Sequence, residues 1–374
     1  MRFGKATVSN QPDFLNGHRV IKLSKERHSG IELLRIYAII GVIIVHYFNG
    51  GIGGGSSYVS GTLSVFVYRL FLTLSFCAVD LFVMISAFFL SVSEKRSFSK
   101  IFFLLFEAGL LRCLIYILQA WNNDYTITVA GIVISVFSFG YFIVFYSIIY
   151  LLSPLINIGF GRLNGKNAQK AVTILFVLFS VIPSFAVILR EYNVCNSDWT
   201  AISTVTIKGS FEGYTIVNFF LCYLIGWYIR HWYNEKAQKR TNHLLLGLNT
   251  IALLVWGYIN WQSAYTYDNP LVILEAAWLL AVFKDLKIQS RFINEIASSG
   301  FTCYLLNGIL IKYLSIEKFA SKSWYVLLAH VLLSVIGIYL LCYVIHKVYK
   351  LCTGWLEYRL SAVINRIDLT FYSE

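Results

Sequence analysis

Residues 101–118 read IFFLLFEAGLLRCLIYIL, an apolar run with two charges, Glu107 and Arg112, set inside it. About 20 apolar residues at 1.5 Å per residue cross the ~30 Å hydrocarbon core of a bilayer, and this run comes close to that length. It is apolar on every side rather than on one stripe, which is the pattern of a helix surrounded by protein or lipid. A transmembrane β-strand would alternate apolar and polar residues over about ten positions, and this run does not.

Runs of the same kind recur from Ile31 to Lys347. Ten are expected to span, at 30–48, 62–92, 101–120, 127–153, 169–190, 214–231, 243–261, 270–283, 298–314 and 324–347. The second and fourth are long enough to require tilting or kinking. The composition agrees: 57% of the 374 residues are hydrophobic and 13% are charged, and mean hydropathy is +0.66. A soluble protein carries about 25% charged residues, so a soluble enzyme, a disordered chain and a secreted disulfide scaffold are all excluded. The seven cysteines form no C-x-x-C pair and read as small buried hydrophobes. Cys195 alone falls in an expected external loop.

The net charge of +12 is not a nucleic-acid signal here, because the basic residues follow the topology. With the N-terminus inside, 23 of the 31 Lys and Arg fall on cytoplasmic pieces. Four fall on external ones (Arg190, Lys208, Lys318, Lys322) and four within or at the ends of spans (Arg35, Arg69, Arg112, Lys312). This asymmetry predicts both termini in the cytoplasm and an even number of spans. The expected fold is therefore an all-α polytopic membrane helix bundle of about ten transmembrane helices. Its parts are a cytoplasmic tail over 1–28, a transmembrane domain over 29–348 and a cytoplasmic tail over 349–374. The first tail carries Arg2, Lys5, Arg19, Lys22, Lys25 and Arg27 and no apolar core, so targeting falls to the first span. In the last, Leu356 to Ile367 is mildly amphipathic and is expected to lie along the membrane surface.

A charge at bilayer depth costs at least about 2.5–3.5 kcal/mol on insertion scales. Glu32, Arg35, Arg69, Asp80, Glu107, Arg112, Glu275 and Lys312 thus each need a reason. For Glu107, Glu275 and Lys312 the plain reading is a satisfied charge or a side chain reaching the interface. The first span differs. It reads HSGIELLRIYAIIGVIIVHYFNG, with Ser29 and Glu32 spaced as a capping box and Glu32 and Arg35 spaced to pair. Arg35 and His46, eleven residues apart, fall within about 20° of one helical stripe and about 16 Å apart along it. They are placed to touch opposite ends of one long anionic ligand; the alternative for an isolated membrane histidine is a packing role. The loop NGGIGGGSS (49–57) lacks the features of a phosphate-binding loop and reads as a flexible lip at the outer mouth of a site. Trp121, Trp199, Trp256, Trp261 and Trp324 fit an interfacial belt.

Arg35, ten intervening residues and His46 resemble the signature of the acyltransferase 3 family of integral-membrane O-acyltransferases. IELLRIYAII (31–40) resembles the family's opening. VDLFVMISAFFLS (79–91) is similar to a second motif that ends in Ser-Gly-Phe, with Ala87 here in place of the glycine. YSIIYLLSPLIN (146–157) and FLCYLIGWYIR (220–230) resemble later segments. IASSGFTCYLLNG (296–308) resembles one that often ends in Tyr-Leu-Ile-His, with Asn307 in place of that histidine, so a role for a second histidine does not carry over.

The resemblance covers about 28–347. It implies transfer of an acetyl group from cytoplasmic acetyl-CoA to a hydroxyl of an envelope carbohydrate or lipid-linked sugar, in the inner (plasma) membrane, with no permanently bound cofactor and no metal. His46 is then the general base and Arg35 the donor's partner. Glu32 or Asp80 would orient an arginine or the imidazole, Arg69 and Arg112 would line the cavity or pair, and Ser86 would bond backbone at a helix end. Cys77 as an acyl carrier is the less favoured route. A transporter or lipid-linked glycan flippase without acyl-transfer chemistry is the alternative. A glycan polymerase fits less well, since its large external loop has no counterpart here.

Overall fold

The structure, a computed structural model, describes residues 28–92, 96–123, 126–191, 213–233 and 239–364. The basic N-terminal tail, Cys195, Trp199, Lys208 and most of the external piece lie outside the described residues. Among the described residues every regular element is helical. In chain order the α-helices are α1 (Ser29–Phe48), α2 (Thr62–Ser75), α3 (Ala78–Leu90), α4 (Phe98–Asn122), α5 (Val129–Phe137), α6 (Tyr141–Gly161), α7 (Gly165–Phe176), α8 (Ile182–Glu191) and α9 (Ile216–His231). There follow α10 (Lys239–Ile259), α11 (Trp261–Ala264), α12 (Pro270–Phe283), α13 (Arg291–Ala297), α14 (Gly300–Ile311), α15 (Ile316–Ala320) and α16 (Trp324–Ile364).

Seven helical stretches are long and apolar enough to cross a membrane. The other expected spans appear as shorter helices, α9 of 16 residues, α12 of 14 and α14 of 12. The second span is broken at Phe76–Cys77 into α2 and α3. The fifth passes through a π-helical turn, Val177–Val181, between α7 and α8. Pro183 just beyond it has no N–H to give to a standard α-ladder.

Two boundaries differ from expectation. The span expected at 127–153 ends after α5 and restarts as α6, because the backbone leaves the helical region at Ser138 and Gly140. The last helix does not stop near 347. α16 runs unbroken for 41 residues, through the boundary expected at 348 and into the stretch read as a surface-lying helix. No proline interrupts it. Glu357 accepts hydrogen bonds from Tyr349 (2.9 Å), Lys350 (2.7 Å) and Thr353 (3.3 Å), and these spacings of four to eight residues hold the turns together.

The core lies around α1 and α3. In the first two spans 67% and 72% of the apolar window is buried, against 17–33% in the others, so α1 to α3 are enclosed by the rest of the bundle. The most extensive helix–helix contact is that of α9 on α3. A Cβ on Gly226 would sit 2.5 Å from the Met84 carbonyl oxygen and 2.9 Å from the Ala87 Cβ. The small residue this contact needs is thus on α9, and Ala87 is accommodated where the family motif has glycine. The expected cap on α1 is not formed. Ser29 instead donates to Asn294 Oδ1 (2.9 Å) and accepts from the Ser290 N–H (3.0 Å), tying α1 to the start of α13. Glu32 is free of the capping box and pairs with Arg35.

Candidate active site

His46 stands two residues before the end of α1. The helix is held in rotation by the next residue, Tyr47, fully buried with its hydroxyl 2.7 Å from His330 Nδ1. The loop after α1 closes back on it: the Gly53 N–H donates to the His46 carbonyl (3.1 Å), and a Cβ at Gly53 would collide with the Tyr47 carbonyl oxygen. The glycine-rich segment is therefore packed tightly against the helix end. The imidazole Nδ1 lies 2.5 Å from Oδ1 of Asn307 on α14. Asn307 has no exposed surface, and its amide Nδ2 donates to the carbonyls of Cys303 (2.9 Å) and Tyr304 (2.8 Å).

His46 opens on a cavity of about 620 Å³. Its wall includes Arg112 of α4, Tyr141 of α6, Tyr214, Tyr267, Tyr304 of α14, and Lys312. Ala78 and Val79 contribute the first turn of α3, so the break in the second span borders the cavity. A histidine, an arginine and several tyrosines thus line one volume large enough for a small ligand.

The family model described as an acyltransferase domain matches residues 28–347, some 320 of the 374. The chain belongs to the acyltransferase 3 family. It is accordingly a membrane acyltransferase. No curated protein and no solved structure matches it.

Of the residues singled out for this acyltransferase, the fold brings His46 and Arg112 to the same cavity and leaves the others outside its wall. Arg35 lies toward the opposite end of α1. Its Nη1 is 2.6 Å from Glu32 Oε2, its guanidinium is 5.9 Å from the Phe89 ring centroid, and its side chain is 30% exposed. Glu32 is therefore paired with Arg35. Asp80 orients neither an arginine nor His46. It is buried in the first turn of α3, where Oδ1 accepts from Asn218 Nδ2 (2.9 Å) and Oδ2 has no hydrogen-bond partner.

Arg69 packs between the rings of Tyr68 and Trp261, 5.4 and 5.8 Å from their centroids, with its Nε and Nη1 unpaired, and does not reach the cavity. The Ser86 hydroxyl donates to the Phe82 carbonyl (2.8 Å) in the middle of α3 rather than at a helix end. Cys77 is buried and absent from the cavity wall.

Glu107 and Glu275 are satisfied by neutral groups. Glu107 accepts from Thr302 (2.6 Å), which also meets His346 Nδ1 (2.8 Å), and Glu275 accepts from Asn249 (2.7 Å) and Thr250 (2.6 Å). Asn307 and the cavity tyrosines were not among the expected site residues. The signal for Asn307 was its place near the end of the segment 296–308, in the position of the histidine that often ends the motif this segment resembles.

Proposed function

We propose that this acyltransferase moves an acetyl group from cytoplasmic acetyl-CoA to a hydroxyl of a cell-envelope carbohydrate, with His46 as general base. The observation that carries the reading is the His46 imidazole, fixed at one nitrogen by a buried amide and facing a cavity that also contains Arg112. The second ring nitrogen is available to a ligand. In the proposed step the His46 imidazole takes the proton of the acceptor hydroxyl as its oxygen attacks the thioester carbonyl. Negative charge builds on the carbonyl oxygen, and Arg112, a cation of the same wall, meets it in this reading. The carbon–sulfur bond then breaks, and the imidazolium returns the proton to the leaving thiolate, so ester and thiol leave with no net change in the protein. The tyrosines supply ring faces and hydroxyls suited to a sugar.

Arg35 serves the donor in this reading. One of its five N–H groups is engaged by Glu32, which leaves others for a phosphate or the polar arm of the thioester. The orientation that fits is both termini in the cytoplasm of a cell whose inner membrane holds the protein. The transmembrane portion over 29–348 then forms the acyltransferase unit, and 1–28 and 349–374 face the cytoplasm.

The test is transfer of labelled acetyl from acetyl-CoA in membranes containing the wild type or His46→Gln. The glutamine keeps hydrogen bonding but accepts no proton near neutral pH, so transfer is expected to fall roughly 10²–10⁴-fold, with donor binding retained. Near-full transfer by the variant removes His46 as base. Absence of any response to acetyl-CoA in the wild type would favour the transporter or flippase reading.

A further inference from the structure

We infer that Asn307 is a positioning residue that holds His46 in the tautomer protonated at Nδ1 and leaves the lone pair at Nε2 for the substrate. The inference deepens the reading of His46 as base and rests on it for its catalytic meaning.

The argument is one of donors and acceptors. A carboxamide has one acceptor oxygen and one donor nitrogen, and the two can be exchanged by a flip of the group. At Asn307 the flip is blocked. The atom placed as Nδ2 lies 2.9 Å from the Cys303 carbonyl oxygen and 2.8 Å from that of Tyr304, and carbonyl oxygens only accept. Exchanging the two atoms would set an oxygen against two oxygens in a site with no exposed surface. Oδ1 is therefore the atom facing His46.

An amide oxygen cannot donate, so the ring nitrogen 2.5 Å away must carry the hydrogen. A neutral imidazole has one N–H, which leaves Nε2 as the basic atom. Nε2 has no hydrogen-bond partner among the described residues and is not sealed off as a buried unpaired atom. The position is also electrically specific. A neutral amide orients the ring without the stabilisation a carboxylate would give the imidazolium, so the proton taken from the acceptor is readily released to the leaving thiolate.

The experiment uses the full-length protein in lipid nanodiscs, labelled with ¹⁵N-histidine, with the His46 signals assigned by their loss in His46→Gln. At a pH where the ring is neutral, the wild type is expected to show a protonated Nδ1 and an unprotonated Nε2. In Asn307→Leu the preference should be lost or reversed, and kcat should fall roughly 10²–10⁴-fold. Asn307→Asp keeps an acceptor in place and adds a charge. It should retain the Nδ1–H form and move the acidic limb of the kcat/KM profile to higher pH by about one unit or more.

A wild-type ring protonated at Nε2 or an unchanged tautomer in Asn307→Leu would overturn the tautomer assignment, and an unmoved acidic limb in Asn307→Asp would overturn its catalytic meaning. The wild-type measurement needs no substitution at 307, so a variant that fails to fold does not disable the test. The two ideas fail separately: if the tautomer is as inferred and His46→Gln still transfers acetyl, the tautomer stands and the base is elsewhere.

Discussion

Arg35 and His46 occupy one helix but different surroundings, and a substitution at each should read out differently. Arg35→Lys keeps the charge and the option of pairing with Glu32 but loses the planar fork. In the proposed mechanism it raises the KM for acetyl-CoA at least about tenfold with kcat little changed, as measured by initial rates across donor concentration. Unchanged KM would make Arg35 only the partner of Glu32.

What was legible at this scale were the charges. A formal charge in an apolar run is conspicuous because of its insertion cost, and Arg35, Arg112 and Asp80 all stood out for that reason. What each charge does was less legible. The partner of Asp80 is an amide on α9 and that of Arg69 a pair of rings, and neither is announced by local spacing. Asn307 was hidden twice over. A neutral amide raises no alarm in a span, and its partner lies 261 residues away. The cavity tyrosines were hidden by being amphipathic, counted as hydrophobic in composition yet each carrying a hydroxyl.

The helices themselves were readable wherever the apolar run was long, as in α1 and α4, and ambiguous where tertiary packing sets the ends. α12 and α14 are short and packed among other helices, with Val272, Ile273, Ala276, Thr302 and Cys303 buried. The break at Phe76–Cys77 has no proline or glycine to mark it, so the sequence alone suggested only that the second span had to bend.

The contact of α9 on α3 offers an element-scale test. Gly226→Val places two methyl groups where the Met84 carbonyl oxygen and the Ala87 Cβ already stand. The backbone there cannot yield as a flexible side chain would, and overpacking costs about 1–3 kcal/mol or more. The variant should lose thermal stability in detergent, followed by fluorescence-detected size exclusion after heating. Gly247→Val, at a helical glycine with open space around it, should not. Equal losses in both would mean that the valine's effect on the helix, not the contact, is responsible.

For the molecule as a whole, orientation and electrostatics make the testable statements. The orientation proposed from the charge asymmetry has α16's far end in the cytoplasm and the 49–57 loop outside. In a Cys195→Ser background, the exposed Cys352 should react with an impermeant thiol reagent only after permeabilisation. A cysteine at the exposed position Ser57 should react in intact cells. The reverse pattern would invert the side from which the donor enters.

The wall of the His46 cavity has a further consequence. Arg112 and Lys312 contribute to it, and among the described residues no aspartate or glutamate does. A low-dielectric funnel with charge of one sign concentrates field lines and raises the capture rate of oppositely charged solutes, an effect that mobile ions screen over a Debye length of about 10 Å at 0.1 M and about 3 Å at 1 M. Raising the salt concentration should therefore lower kcat/KM for an anionic acceptor such as a uronic acid glycoside while leaving kcat in place. The matched neutral glycoside should be nearly indifferent to salt, and Lys312→Gln should flatten the difference between them. The vestibule would then act as a kinetic filter, ranking acceptors by charge before any hydroxyl reaches His46.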